Sequence, residues 1–443
     1  MNKFTKAFIA VACLSSWIIA GCSKNESTTA SSADQAKAVE RVNQANLIFV
    51  PRLALVISSE GKDTTGFDMS AATSLYKEAL TYDPDNVDAH FGIAVTEFFT
   101  VFSDPSLRSA FANLQSPTSL MSVSPFSVFD RKSGMERFGG LLNGSIKSNL
   151  AQVIDPMYPV KMARSHVMSV NGQPFSYYQG LIETKVLPSL SDAISHLNIV
   201  TQHSSYIFYI TPEEVGENIG DSIRIGLTEI YVLLATCQTV DAGASLVVAY
   251  NVDYDATDSS AVKAAWQPNS AFLALRSGGA QRMKDVRTNI IAAATSIQSG
   301  VNFLIQHPAN GIIPYRSEDA ATLSELKSAM DSVKTYLSGP VQISVSVGGN
   351  SQATTTITVN LKNVFDNAIP NFKLKLPGYT VSIQPNGTHY DAVLMWQAAS
   401  FSQWIFPDPT FNNILPGMTS DALLKQTFGI TSSGWQPYVI IPG

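Results

Sequence analysis

The chain has 443 residues, of which 45% are hydrophobic and only 14% are charged, and its formal net charge is −6. This length and apolar content can bury a sizeable core and more than one structural unit. The excess of acidic residues excludes nucleic acid and broad contact with anionic lipid surfaces from the expected partners.

The first 21 residues have the features of a bacterial signal peptide. Lys3 and Lys6 make the start positive, and residues 7–19 form a mostly apolar stretch. A permanent transmembrane helix needs about 20 apolar residues, so this stretch is too short to span a bilayer. It ends in a branched apolar residue, a small residue, a glycine and a cysteine, namely Ile19, Ala20, Gly21 and Cys22. These four places resemble the lipobox of bacterial lipoproteins.

The resemblance implies a lipid anchor at Cys22. In that family the peptide is cleaved before the cysteine, the thiol takes a diacylglycerol group, and the new amine is acylated with a palmitate-type chain. Two or more acyl chains anchor a protein stably, at about 0.8 kcal/mol per buried methylene. Ser23 rather than an aspartate follows the cysteine, which favours the outer membrane, with the protein facing the periplasm. The alternatives are an ordinary secretory signal cleaved nearby and an uncleaved anchor.

Residues 22–33 contain no large apolar side chain and are expected to form a flexible tether that reaches about 20 Å.

Cys13 leaves with the signal peptide and Cys22 carries the lipid, so Cys237 remains alone and no intramolecular disulfide can form. Because Cys237 lies in an apolar helical run, it is expected to be buried and inert.

Residues 34–339 are predicted to form a helical domain, and its early part contains a second resemblance. This part of the sequence has the spacing of a tetratricopeptide repeat, in which a small residue, an aromatic residue, a second small residue and a proline follow one another. The residues at these places are Ala72, Tyr76, Ala79 and Pro84. Ala89, Ile93 and Ala94 then match the first helix of a next repeat, with Ala94 at the place often held by glycine. The resemblance covers residues 69–97 and implies closely packed helices. The alternative is two antiparallel helices joined by a common Asp-Pro turn, since no second copy follows at the repeat period of about 34 residues.

Helical periodicity continues through most of this domain. A stripe over residues 182–197 contains Pro188, which predicts a kink or the first turn of a new helix. Stripes over residues 286–304 and 317–337 predict two more helices. Residues 103–174 have an irregular pattern, rich in serine, proline, glycine and asparagine.

A long apolar stretch, residues 221–250, lies in the middle of the chain and bears Arg224, Glu229 and Asp241. Because it carries charge and two glycines in its interior, it predicts a central core helix rather than a membrane span. A short aromatic and β-branched run before it, residues 205–210, predicts a strand.

Residues 340–443 are predicted to form a small β-rich module, because the apolar period changes there from helical to alternating. Alternating residues on both sides of a Gly-Gly-Asn turn at 348–350 predict a hairpin. Further strands are expected at 372–376, 380–383 and 392–396. The predicted fold class is therefore mainly α, with a helical, tetratricopeptide-like body followed by this module.

One acidic loop is a candidate metal site. Asp253, Asp255 and Asp258 stand at alternating or nearby places after the apolar stretch, and such carboxylates can converge on calcium. The loop lacks the turn glycine and the final glutamate of a calcium loop, since those places hold Ala256 and Val262. The alternative is an ordinary acidic loop at a helix end.

Other chemistry-bearing residues form no recognisable catalytic pattern. His196 and His203 are the closest histidines in the chain and are expected to be surface or capping groups. The aromatic segment 396–411 is expected to cover an edge of the β-rich module, with a docking surface for sugar or protein as the alternative. We therefore predict no enzyme activity and no cofactor.

The sequence predicts a lipid-anchored envelope protein that acts as a non-catalytic scaffold or protein-binding module. It contacts the membrane through its lipid and has a protein partner in the envelope. The alternative is an envelope ligand-binding protein for a glycan or calcium.

Overall fold

The computed structural model describes residues 30–58, 69–111, 174–211, 222–308, 310–313, 315–346, 354–397, 403–427 and 438–441. Over these residues the prediction of a mainly helical protein is confirmed, with short strand pairs that lie mostly toward the C-terminus. The lipobox with Cys22, most of the predicted tether and most of the irregular segment 103–174 lie outside the described residues.

The helices of the body follow one another in a simple order. Their bounds are α1 Ser32–Ser58, α2 Ser70–Tyr82, α3 Val87–Ser103, α4 Pro105–Phe111, α5 Phe175–Leu181, α6 Leu187–Val200, α7 Leu227–Ala249, α8 Ser259–Ala265, α9 Gly279–Gln306 and α10 Ala320–Ser338. A π-helical turn, Ile182–Val186, joins α5 to α6, and a 3₁₀ turn, Ser317–Asp319, precedes α10.

The long helices pack in a single row. Helix α1 packs on α2, α2 on α3, α3 on α6, α6 on α7, α7 on α9, and α9 on α10. The inner helices of the row bury apolar side chains against the helices on both sides, and the buried side chains form one continuous core. The row positions every residue of the candidate site described below.

The first part of the row shows how the segment that resembles a tetratricopeptide repeat packs. The Tyr76 ring is fully buried, and its hydroxyl donates to Asn46 Oδ1 at 2.6 Å. Gly92 of α3 lies against this ring, since a Cβ there would come within 2.3 Å of it. Ala94 is also buried, and Gly92, two places before it, is the small residue that lies against the ring. The described residues do not show tetratricopeptide repeats.

Pro188 lies in the first turn of α6, which is one of the two alternatives that its sequence predicts. Helix α5, the π-helical turn and α6 run on without a break, and the Leu187 N–H donates to the Ile182 carbonyl, five residues back. Pro188 has no N–H to donate, so a standard helix would lose a hydrogen bond at this point. The wider π turn therefore stands where the proline interrupts the regular pattern.

Helix α7 is the central element of the row, but it begins later than its sequence predicts. Residues Ile223–Ile225 form strand β2, which pairs antiparallel with β1, Phe208–Ile210, the strand predicted at 205–210. The helix starts at Leu227, where Glu229 Oε2 accepts the Gly226 N–H at 2.9 Å. By length and composition α7 could cross a membrane, yet 83% of its most apolar window is buried inside the fold. Cys237 is buried there, and burial raises the pKa of its thiol far above the usual range.

The described part of the C-terminal module contains seven helices and strands, besides one 3₁₀ turn. Their bounds are β3 Val341–Ser346, β4 Thr354–Val359, α11 Leu361–Asp366, β5 Tyr379–Asn386, β6 His389–Trp396, α12 Asp421–Thr427 and β7 Tyr438–Ile441. Strands β3 and β4 form the predicted hairpin, with Val341 opposite Val359, and β5, β6 and β7 form an antiparallel sheet in that order. The strand predicted at 372–376 is wrong, because Phe372–Lys375 forms a 3₁₀ turn.

The module and the helical body share backbone hydrogen bonds and a common core. The Leu275 N–H donates to the Pro370 carbonyl at 2.8 Å, and the Tyr390 N–H donates to the Ala256 carbonyl at 2.9 Å. Phe365 of α11 belongs to the same core cluster as the helices. The module is therefore packed against α8, α9 and α10 rather than joined to them by the chain alone.

Candidate functional site

The site is a cavity of about 380 Å³ between α6, α7 and α9. Its polar lining consists of Glu183, Ser191, Asp241, Arg282, Asp285, Thr288 and Asn289. Its apolar lining consists of Leu187, Pro188 and Ile194, all from α6. The cavity lies beside the π-helical turn, an irregularity that is frequent at functional sites.

Asp241 is the most unusual group in the cavity, because its side chain is a carboxylate on the central core helix and its exposed fraction is only 8%. Its Oδ1 accepts hydrogen bonds from Asn289 Nδ2 at 2.6 Å and from Ser245 Oγ at 3.3 Å. Its Oδ2 accepts none from any described residue. Burial, helped by the nearby Asp285 carboxylate, raises the pKa of Asp241 to about 6.

The interface between α7 and α9 contains polar side-chain contacts at two positions along the helices. Besides the Asp241–Asn289 contact, Ser296 Oγ donates to Gln238 Oε1 at 2.9 Å. Such paired polar groups avoid the penalty of burying a polar atom without a partner. They hold the two helices in one register, and that register places Asp241 opposite the first turns of α9.

Two ion pairs hold the π-helical turn from opposite sides. Glu183 forms a bidentate pair with Arg276, whose two nitrogens lie 3.2 and 3.0 Å from the carboxylate oxygens. Lys185 pairs with Asp104 Oδ2 at 2.7 Å. Bidentate pairs fix orientation as well as charge, so the turn is a firm wall of the cavity and the charge of Glu183 is already balanced.

Three charged groups in the cavity remain without an ion-pair partner among the described residues. They are the carboxylates of Asp241 and Asp285 and the guanidinium of Arg282. Asp285 accepts one hydrogen bond, from Gln281 Nε2 at 2.9 Å. Arg282 is half-buried, and its guanidinium forms no hydrogen bond with a described residue. The cavity therefore contains two carboxylates that can bind a positively charged group and one guanidinium that can bind a negatively charged group. An aliphatic wall lies beside them.

No family model, curated protein or solved structure matches this chain. Its function is therefore inferred from the residues themselves.

The three carboxylates of the predicted calcium loop each accept a backbone N–H group, one from α5, one from the loop itself and one from the first turn of α8. Asp253 Oδ1 accepts the Phe175 N–H at 3.1 Å, and Asp255 Oδ1 accepts the Thr257 N–H at 2.8 Å. Asp258 caps α8 through the Ser260 N–H at 2.8 Å. Across the described ranges, no group of three histidine, cysteine or acidic side chains is placed to hold a metal ion. The structure thus gives each aspartate its own hydrogen-bonding role and does not bring the three together.

The histidines are arranged differently from their sequence prediction. His203 is exposed, but His196 Nδ1 lies 2.6 Å from His90 Nδ1, and His90 Nε2 lies 2.8 Å from the Pro84 carbonyl. Because Nε2 of His90 must donate to that carbonyl, its Nδ1 accepts from His196. Burial lowers the pKa of both imidazoles, so the pair joins α3 to α6 in its neutral form.

The aromatic residues of segment 396–411 pack on one another and on buried residues of the module. Trp404 is buried and its ring centroid lies 4.7 Å from that of Trp396, while Phe406 and Phe411 lie 5.6 Å apart. These contacts favour the interpretation that the segment covers the module.

Sequence reasoning missed the cavity, although its residues leave a recognisable signal. Gln238, Asp241 and Ser245 recur at three and four residues, which places them on one face of an otherwise apolar helix. Arg282, Asp285 and Asn289 recur at the same spacing on α9. Each set alone resembles a solvated stripe, and only the packing of α7 on α9 shows that the two stripes face each other.

Replacing Asp241 by asparagine is expected to remove a pH-dependent part of the stability. Because the pKa of Asp241 is raised to about 6, its carboxyl stabilises the fold at low pH, and this contribution is lost as the pH rises through about 6. A shift of this size corresponds to about 3 kcal/mol in all. The free energy of unfolding of the wild type, relative to Asp241→Asn, should therefore fall by about 2 kcal/mol between about pH 4.5 and pH 8.

Urea unfolding at several pH values measures this difference. Glu325→Gln, an exposed change on α10, is the charge-matched control and should follow the wild type. Parallel curves for the wild type and Asp241→Asn would show that Asp241 ionises as freely in the fold as in the unfolded chain.

Proposed function

We propose that this protein is a non-catalytic scaffold or protein-binding module of the bacterial envelope, held at the outer membrane by a lipid on Cys22 and facing the periplasm. The observation that carries the proposal is the single row of long helices, each packed on its neighbours in the chain. A row of this kind leaves extended surfaces along its length, which helical repeat proteins use to bind partner proteins. The close packing of Tyr76 against Gly92 in the α2–α3 pair supports the tetratricopeptide-like character that we propose for this row.

The buried ionisable groups outside the cavity support a structural role. Glu229 is fully buried and its carboxylate accepts two backbone N–H groups, from Gly226 at 2.9 Å and Ile313 at 2.7 Å. Lys373 is also buried and its ammonium donates to the Ala265 carbonyl at 2.9 Å and the Ser270 carbonyl at 3.1 Å. Groups held in this way join segments of the fold.

The lipid anchor is tested by replacing Cys22 with alanine. We expect the variant to incorporate no labelled palmitate, because the acylated thiol and the amine of the mature N-terminus both belong to Cys22. Cys13→Ala, which changes the signal peptide but leaves the lipobox intact, is the matched control and should label like the wild type. Labelling and mass spectrometry of the mature N-terminus provide the measurement.

Equal labelling of the wild type and Cys22→Ala would contradict the anchor. The scaffold role has its own test, which is in-cell crosslinking of the wild-type protein. Recovery of one specific envelope protein would support the role, and recovery of none would count against it.

A second candidate function, a binding protein for a small ligand, is favoured by the cavity between α6, α7 and α9. Its volume lies within the range of about 300–1,000 Å³ that is usual for small-molecule sites. The sequence-based alternative is a glycan or calcium, but the groups in this cavity suit a small ligand that carries charges of both signs.

A further inference from the structure

We propose that the cavity between α6, α7 and α9 binds a small zwitterion, an α-amino acid with an aliphatic side chain. The ammonium group of the ligand contacts Asp241, and its carboxylate contacts Arg282. This inference rests on the second candidate function and is independent of the lipid anchor and of the scaffold role.

The ammonium end is argued from Asp241. Asp241 is only 8% exposed and lines the cavity, and its Oδ2 accepts no hydrogen bond from a described residue. A ligand ammonium in the cavity can donate to this oxygen and supplies the opposite charge. Asp285 lines the same cavity and adds a second negative charge.

The carboxylate end is argued from Arg282. Its guanidinium lines the cavity and forms neither a hydrogen bond nor an ion pair with any described residue. Guanidinium groups bind carboxylates through two parallel hydrogen bonds. Arg282 also lies in the first turns of the long helix α9, where the helix dipole adds positive potential. A ligand that carried only positive charge would leave this guanidinium unpaired.

The aliphatic side chain of the ligand is inferred from the α6 side of the cavity. Leu187, Pro188 and Ile194 line the cavity on its α6 side, and all three are aliphatic. Each methylene buried against such a wall contributes about 0.8 kcal/mol. The cavity therefore selects an aliphatic amino acid over glycine, and its volume suits a molecule of that size.

Titration calorimetry with the full-length protein tests the proposal with valine, isoleucine and leucine as probes. Two truncated probes separate the ends, since leucine methyl ester lacks the carboxylate and 4-methylpentanoate lacks the ammonium. We expect at least one amino acid to bind and each truncated probe to bind at least about tenfold more weakly. Asp241→Asn and Arg282→Gln should each weaken amino-acid binding by a similar factor, and Arg316→Gln, an exposed arginine outside the cavity, should not.

Titrating each variant with each truncated probe shows which residue binds which end of the ligand. Arg282→Gln should weaken binding of leucine but not of its methyl ester, because the ester has no carboxylate for the arginine to bind. Asp241→Asn should leave binding of 4-methylpentanoate unchanged for the corresponding reason. Thermal unfolding of both variants shows whether they are folded when they are titrated.

Two results would overturn the proposal in different ways. Tight binding of the methyl ester, equal to that of leucine, would show that the cavity takes a simple cation, which rejects the zwitterion but keeps the small-ligand function. No binding of any probe by the wild type at millimolar concentration would reject the amino acid, and it would also remove the support that the cavity gives to that function.

Discussion

Gly279→Ala is expected to destabilise the protein by about 3 kcal/mol or more, because α7 and α9 approach each other most closely at this residue. A Cβ at Gly279 would lie 2.2 Å from the Ala249 carbonyl oxygen at the end of α7. That oxygen belongs to the backbone and also accepts the Arg276 N–H at 2.9 Å, so it cannot turn aside as a side chain can. One helix must therefore shift, and overpacking that moves side chains and backbone usually costs about 1–3 kcal/mol, occasionally more.

The preceding residue provides the control for Gly279→Ala. Gly278 has a φ of 77°, in the left-handed region, and an added Cβ there would contact nothing within 4 Å. Asparagine tolerates that conformation, so Gly278→Asn should cost less than about 1 kcal/mol. Urea unfolding of both variants measures the difference, and equal losses at the two glycines would contradict a steric origin.

Because α9 carries Arg282, Asp285 and Asn289, a shift at its first residue also moves one wall of the cavity. The close approach at Gly279 thus links the stability of the row to the geometry of the candidate site.

Gly92→Ala is expected to destabilise the protein by about 2 kcal/mol, although alanine favours a helix over glycine by about 1 kcal/mol. The added methyl group would lie 2.3–2.5 Å from three atoms of the Tyr76 ring. The ring cannot move freely, since its hydroxyl donates to Asn46 and Phe49 packs edge-on against it at 6.0 Å. The clash therefore exceeds the gain in helix propensity.

A double-mutant cycle measures this interaction. Tyr76→Leu removes the ring, so Gly92→Ala should cost at least about 1 kcal/mol less in that background than in the wild type. Gly180→Ala on α5 is the control, because an added Cβ there contacts nothing within 4 Å and the change should be neutral or slightly stabilising. Strict additivity of the two changes would show that Gly92 and Tyr76 do not constrain each other.

Periodicity predicted helices and strands correctly where burial of one apolar face determines the structure of the element. The stripes at 286–304 and 317–337 correspond to α9 and α10, and the alternation after residue 340 corresponds to the β3–β4 hairpin. The failures lie where local and tertiary preferences compete. Residues 372–376 alternate like a strand, but the backbone forms a 3₁₀ turn there. This turn accompanies the burial of Lys373, whose ammonium donates to backbone carbonyls.

The candidate site was much harder to predict than the fold. The aspartates at 253, 255 and 258 were conspicuous because they lie close together in sequence, yet each is occupied by a nearby backbone N–H. Asp241 was noticed only as a charge within an apolar helix. Its environment comes from α6 and α9, whose cavity-lining residues lie about 50 positions away on either side in the chain.

The sequence by itself determined the lipobox resemblance, the helical and alternating periods, and the isolation of Cys237, since each of these depends on residues that are neighbours in the chain. The tertiary structure alone decided which small residue admits Tyr76, which histidines pair, and which charged groups share a cavity. The physical reason is that periodicity specifies which face of a helix is buried but not which partner covers it. Partners are selected by shape and polar complementarity between distant segments, as at the contacts of Gly92 with Tyr76 and of Asp241 with Asn289.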